Sequence, residues 1–66
     1  MSVAKVIELT ARSTESFEDA VQRAVDKAGE SVHAIREAWI QDQKVRIEDG
    51  KVAEYQVDVK ITFLVD

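Results

Sequence analysis

The chain contains no cysteine and no proline, a single histidine and only two glycines among its 66 residues. Without cysteine there is no disulfide and no thiolate zinc site, and with His33 alone there is no imidazole cluster to hold a transition metal. Long apolar runs are missing too. Met1 to Ala11 already carries Lys5 and Glu8, so neither a secretory signal nor a membrane span is expected, and the expected address is the cytoplasm. Positive charge is in short supply: 9 Lys and Arg stand against 13 Asp and Glu, giving a net charge of -4. That is the wrong sign for a sequence-independent grip on phosphate backbones, which argues against nucleic acid as a partner.

What is present is 45% hydrophobic and 33% charged, too apolar for disorder and too evenly charged for a membrane. Residues 1–66 therefore read as one small folded domain. Its size is a difficulty. A chain this short hides only roughly 60% of its extended surface, so apolar burial roughly cancels the entropy of ordering. Disulfides and thiolate metal sites being excluded, self-association is the expected supplement.

Val3 to Thr10, rich in β-branched residues, reads as a first strand. Ser16 followed three residues later by Asp19 resembles a capping box, with Ser13 as a competing cap. Phe17, Ala20, Val21, Ala24, Val25 and Ala28 then recur with helical period, Asp19 and Arg23 can pair four apart, and Gly29 stands where the helix should end. Ile35 to Ile47 and Val52 to Val65 read as two long strands, joined through Asp49-Gly50, a type I′ hairpin signal. On the last strand Tyr55, Val57, Val59, Ile61, Phe63 and Val65 share a face, which should meet the helix. On the second strand the parity of Ala38 and Ile40 conflicts with that of Val45 and Ile47. Either a bulge near Asp42 or Gln43 reconciles them, or the far half of the hairpin passes the helix and buries its apolar side on another chain.

Catalytic machinery is hard to find, and an enzyme is not expected. Ser13, Ser16 and Ser31 near His33 are better explained as caps and loop residues, and the acidic pairs Glu18-Asp19 and Glu48-Asp49 as a solvated helix face and a turn, although carboxylates also suit calcium. The other face of the hairpin says more. With a two-residue turn, residues whose numbers sum to 99 lie opposite, placing Glu37 across from Thr62 and Gln43 across from Gln56, subject to the bulge. Glu37, Trp39 and Gln41 then share a face with Gln56, Asp58 and Lys60, turned away from the helix. An aromatic as large as Trp39 on that face needs a cover, either a subunit interface or a small-molecule ligand.

The opening V-A-K-V-I-E-L, the helix start S-x-E-S-F-E-D-A, the hairpin A-W-I-Q-D-Q-K-V-R-I-E-D-G and the closing E-Y-Q-V-D-V-K-I-T-F strongly resemble the dodecin family over essentially all 66 residues. The resemblance implies an α+β fold of order β-α-β-β, a three-stranded antiparallel sheet wrapped partly round one helix, twelve copies forming a hollow homododecamer. It further implies storage or sequestration of flavin (FMN or riboflavin) without turnover, and in some members coenzyme A binding. In flavin binders of that family a Trp on the second strand stacks on the ring and a Gln on the last strand bonds its pyrimidine edge. Gln56 matches that Gln; the stacking position falls on Glu37, with Trp39 two residues further on and pointing to the same face. Gln56 and Trp39 are thus the expected cofactor contacts, with Glu37 modifying selectivity. The alternative is a shell that binds another small molecule or a divalent cation.

Overall fold

The computed structural model describes residues 2–66. Strand β1 (Ala4–Ser13) leads into helix α1 (Phe17–Ala28), followed by strands β2 (Ile35–Glu48) and β3 (Lys51–Leu64). All three strands form one antiparallel sheet in the order β1-β3-β2. The last strand in sequence is therefore the central one, and both outer strands pair with it. The strands begin and end within a few residues of the expected limits, with β1 running on to Ser13.

Helix α1 starts where its cap predicts. Ser16 Oγ accepts the Asp19 N–H at 2.9 Å, a cap whose loss costs about 1 kcal/mol. The reciprocal half of the expected capping box is replaced. Asp19 accepts the Ser13 hydroxyl at 2.6 Å, and Ser13 Oγ in turn receives the N–H groups of Glu15 and Ser16. Ser13, buried at the end of β1, thus ties the strand to the first turn of the helix. The Ser13 hydroxyl, and then Arg23 at 2.7 Å, hold the Asp19 carboxyl below its ordinary value of 3.8. A depressed carboxyl stabilises the fold above its unfolded value, and that contribution disappears as pH falls through the lower folded value. Wild type and Asp19→Asn should therefore differ in thermal midpoint at about pH 6 and converge toward about pH 2. Thermal melts across that range check it.

Ala20, Ala24 and Ala28 lie four apart and are buried against Val57, Val59 and Ile61, all fully buried on β3. With no side chain beyond Cβ on this ridge, the helix settles closely on the central strand. Phe17 meets Tyr55 edge-on at 5.1 Å between ring centres, and Ile7, Leu9 and Val25 close the sides. The helix stops at Gly29, which stays right-handed at φ -63. The left-handed residue comes later, at Ala34 (φ 58), whose carbonyl accepts the Leu64 N–H at 3.1 Å and secures the loop to β3.

The hairpin turn has positive φ at both Asp49 (52) and Gly50 (74), as a type I′ turn requires. Three irregularities then shift the register: between Arg46 and Ile47, between Ile40 and Asp42, and between Ile35 and Glu37. The second is the expected parity-correcting bulge, displaced to Gln41. It puts Val45 opposite Tyr55 and Ile40 opposite Val59, on the helix side of the sheet. Gln56 consequently faces Lys44, which corrects the expected pairing with Gln43, while Glu37 faces Thr62 as expected. Val65 lies beyond the strand and is exposed, so the buried face of β3 ends at Phe63.

The twelve-residue helix spans about 18 Å, whereas each fourteen-residue hairpin strand spans about 46 Å. The molecule is accordingly 51 × 19 × 13 Å; Val45, Ile47 and Val52 remain exposed toward the turn end of the hairpin, and Ile40 is exposed on the outer strand beside Val59. The bulge exists as the first reading expected, and the apolar strip it creates outruns the helix. No helix among the described residues is long and apolar enough to cross a membrane.

Candidate functional site

The face of the sheet turned away from α1 is built in rows, each contributed by three strands. Val6, Thr62 and Glu37 make one row; Glu8, Lys60 and Trp39 the next; then Thr10, Asp58 and Asp42; then Arg12, Gln56 and Lys44. Beyond them Glu54 pairs with Arg46 on the hairpin alone. Side chains on this face bond across strands: Thr10 Oγ1 donates to Asp58 at 2.9 Å and Arg12 Nε to Gln56 Oε1 at 2.9 Å.

Two cavities open on this face. The first, about 750 Å³, is lined by Val6, Glu8, Glu37, Trp39, Lys60 and Thr62. Trp39 is 66% exposed, and its indole lies under the Lys60 ammonium, 5.9 Å from the ring centre. That contact contributes on the order of 0.5–1 kcal/mol at an exposed site, so a flat ligand can displace it at modest cost. Glu37 stands on the neighbouring row and lines the same groove. An uncovered indole, an apolar Val6 and a few polar groups provide a stacking surface with hydrogen-bonding edges.

The second cavity, about 420 Å³, is lined by Arg12, Lys44, Val45, Arg46, Glu54 and Gln56. Trp39 and Glu37 thus share a groove, and Gln56 lies outside it. Lys60, opposite Trp39, is four residues from Gln56 along β3, about 13 Å, with the Asp58 row between them. Arg12 holds the Gln56 carbonyl oxygen, leaving the amide N–H groups to donate outward. The Arg12 and Lys44 neighbours of Gln56 escape a sequence reading, because they depend on β1 pairing with β3 and on the Gln41 bulge.

Gln41 sits in the bulge with no register partner on the central strand, and its amide nitrogen is buried without a protein partner. Among the other candidates, Ser13 and Ser16 are committed to the helix start. Asp19 pairs with Arg23, and Glu48 with Arg46, which also reaches Glu54 at 3.4 Å. His33 lies in the loop between α1 and β2. Among the described residues no three His, Asp or Glu side chains gather as a metal site.

Comparison with known proteins places these features in context. A family model described as Dodecin matches residues 3–66. Calcium dodecin of Mycobacterium tuberculosis (strain ATCC 25618 / H37Rv) is 33% identical over 63 residues, which is 96% of this chain and 89% of that protein. A crystal structure of the same calcium dodecin, described as calcium chelating with a novel calcium-binding site, superposes with a TM-score of 0.82 at 33% identity, covering 98% of this chain and 93% of that one. Dodecin from Streptomyces coelicolor is 28% identical with a TM-score of 0.91, covering 98% and 93%. An Arg-to-Ala variant of the Thermus thermophilus dodecin is 27% identical with a TM-score of 0.93, covering 100% and 98%.

Proposed function

The chain belongs to the dodecin family, and from that membership we propose that it is a cytoplasmic, non-catalytic binding protein. In this reading twelve copies form a shell that stores or sequesters flavin, FMN or riboflavin. Trp39 supplies the stacking surface, Gln56 the amide for the pyrimidine edge, and Glu37 adjusts selectivity. The observation that carries the reading is the exposed Trp39 in an open groove on the one sheet face that α1 leaves bare.

The distance between Trp39 and Gln56 gives the reading a specific form. A ring stacked on Trp39 of one copy is met most directly by Gln56 of a second copy lying antiparallel across this face. Assembly and ligand binding are then one event. The exposed strip of Ile40, Val45, Ile47 and Val52 on the opposite face supports assembly independently of the ligand, since about 25 cal/mol is gained per Å² of apolar surface covered.

A second reading rests on a different row. Asp42 and Asp58 are register partners, an arrangement that costs energy unless a cation relieves it, and the Mycobacterium tuberculosis relative is named for calcium. Two carboxylates from one copy fall short of calcium's six to eight oxygens, so a second copy or water must complete the shell.

Titration of purified protein with FMN and with riboflavin, following flavin fluorescence, tests the first reading. Quenching that saturates is expected, in a species of about twelve times the 7.4 kDa chain mass. Absence of quenching at high micromolar protein removes flavin from the account, and a stable monomer removes the shell. Calcium chloride in place of flavin, with calorimetric readout, decides the second reading.

A further inference from the structure

Lys60 stands between two neighbours and can satisfy only one of them at a time. On the outer face it is the register partner of Trp39 on β2 and of Glu8 on β1, and all three line the first cavity. Side chains directly opposite one another in an antiparallel pair lie about 4.5–5.5 Å apart at Cβ, so the flexible four-carbon stem of Lys60 reaches either side without backbone movement. Its ammonium is seated over the Trp39 ring, 5.9 Å from the centre, and forms no ion pair with Glu8. Glu8 is exposed and has no cationic partner among the described residues.

The other polar groups around Lys60 are further away. Asp58 and Thr62 lie two residues along β3 in either direction, about 6–7 Å, and Asp58 already accepts the Thr10 hydroxyl at 2.9 Å. Glu37, opposite Thr62, is a diagonal neighbour at about 7–8 Å. Glu8 is therefore the nearest carboxylate. An ammonium over an exposed indole and an exposed Lys–Glu pair are interactions of the same small order, so passing from one seat to the other changes the free energy little. A ring that stacks on Trp39 occupies the first seat and leaves only the second.

We propose that Lys60 is a positioning residue with two seats: it covers the Trp39 ring in the unliganded protein and passes to the Glu8 carboxylate when a ring stacks there. This rests on the reading of Trp39 as the stacking surface and adds Glu8, acting through Lys60, as the residue that keeps that surface accessible.

Fluorescence titration of the assembled protein with riboflavin tests it, comparing wild type, Glu8→Gln, Lys60→Met and the double variant. Riboflavin carries no phosphate, so removing a surface charge acts on Lys60 and not on the ligand. Without Glu8 the displaced ammonium has nowhere to go, and Glu8→Gln should bind roughly two- to fivefold more weakly. With Lys60→Met already present the same substitution should change nothing, and Lys60→Arg, which also stacks and pairs, should preserve the dependence on Glu8. Equal effects of Glu8→Gln in both backgrounds, or none in wild type, overturn the proposal. Trp39 is the only tryptophan, so its emission reports the first seat without ligand. Lys60→Met should shift that emission and make acrylamide quenching easier; unchanged emission and quenching overturn the proposal as well. Should Lys60→Met fail to assemble, Lys60→Gln takes its place in every comparison. Failure of the flavin reading looks different. If no variant binds riboflavin, that reading falls and the passage to Glu8 falls with it, whereas binding that shows no coupling between Glu8 and Lys60 overturns the two seats alone.

Discussion

Ile61→Ala should abolish the assembled protein at micromolar concentration, or lower its thermal midpoint by at least about 10 °C. Ile61 is fully buried at the centre of the central strand, beneath the alanine ridge of α1, with Ile7 and Ala38 as its register partners. Removing its outer carbons leaves a cavity that the close-fitting Ala20, Ala24 and Ala28 have no side-chain length to fill. Such a deletion costs about 2–5 kcal/mol, comparable with everything a core of this size supplies. Because the exposed hairpin strip is presented by the same strand pair, loss of the core also removes the surface for association. Differential scanning calorimetry with solution mass measurement checks the result, and Glu18→Ala on the solvated helix face serves as the control that should change neither. A variant that melts within a few degrees of wild type would place the main source of stability at subunit contacts instead.

Glu37→Trp should raise flavin affinity by about a hundredfold, which corresponds to about 2.7 kcal/mol. Two effects add. An indole on the Val6–Thr62 row extends the stacking surface that Trp39 begins one row away, and stacked aromatic contacts contribute about 0.5–1.5 kcal/mol beyond the area they bury. The substitution also removes a carboxylate that loses hydration when a ring covers it. The companion change, Trp39→Ala, should cost at least about tenfold if the wild-type protein stacks its ligand there. Fluorescence titration of both variants against wild type checks the pair. If Glu37→Trp creates affinity and Trp39→Ala leaves it unchanged, the ring sits on the Glu37 row and Trp39 serves another purpose. If neither substitution alters binding, this groove is not the flavin site.

Much of the fold can be read from local pattern. Phe17 to Ala28 announces a helix through its period, Ser16 marks its start, Asp49-Gly50 marks the hairpin, and alternation from Tyr55 to Phe63 marks the buried face of the last strand. These signals survive because each depends on residues within a few positions of one another. The parity conflict on the second strand also announced a bulge, but its place was missed by one or two residues. A bulge is decided by which residue can leave the ladder at least cost, and Gln41 is no more conspicuous in sequence than Asp42 or Gln43.

The candidate site is less legible. Trp39 and Glu37 do share a groove, as their spacing suggested, and Lys60, opposite Trp39, lies over its ring. Gln56, grouped with them by alternation and by the family resemblance, lines a different cavity, because alternation reports the side of a sheet and not the distance along it. Arg12 and Lys44 could not be associated with Gln56 in advance. One arrives through a strand pairing 44 residues distant in sequence, the other through the register shift at Gln41.

The helical period, the turn chemistry and the strand alternation determined by themselves the order β-α-β-β and the side of the last strand that meets the helix. Tertiary structure alone decided that the last strand is central, that the hairpin outruns its helix, and that the outer face carries an aromatic groove and a cationic cavity in separate rows. The reason is physical. Helical period and turn chemistry are set by neighbours in the chain, whereas strand order and register are set by competition among long-range pairings whose winner is the one that buries Val57, Val59 and Ile61 beneath the helix.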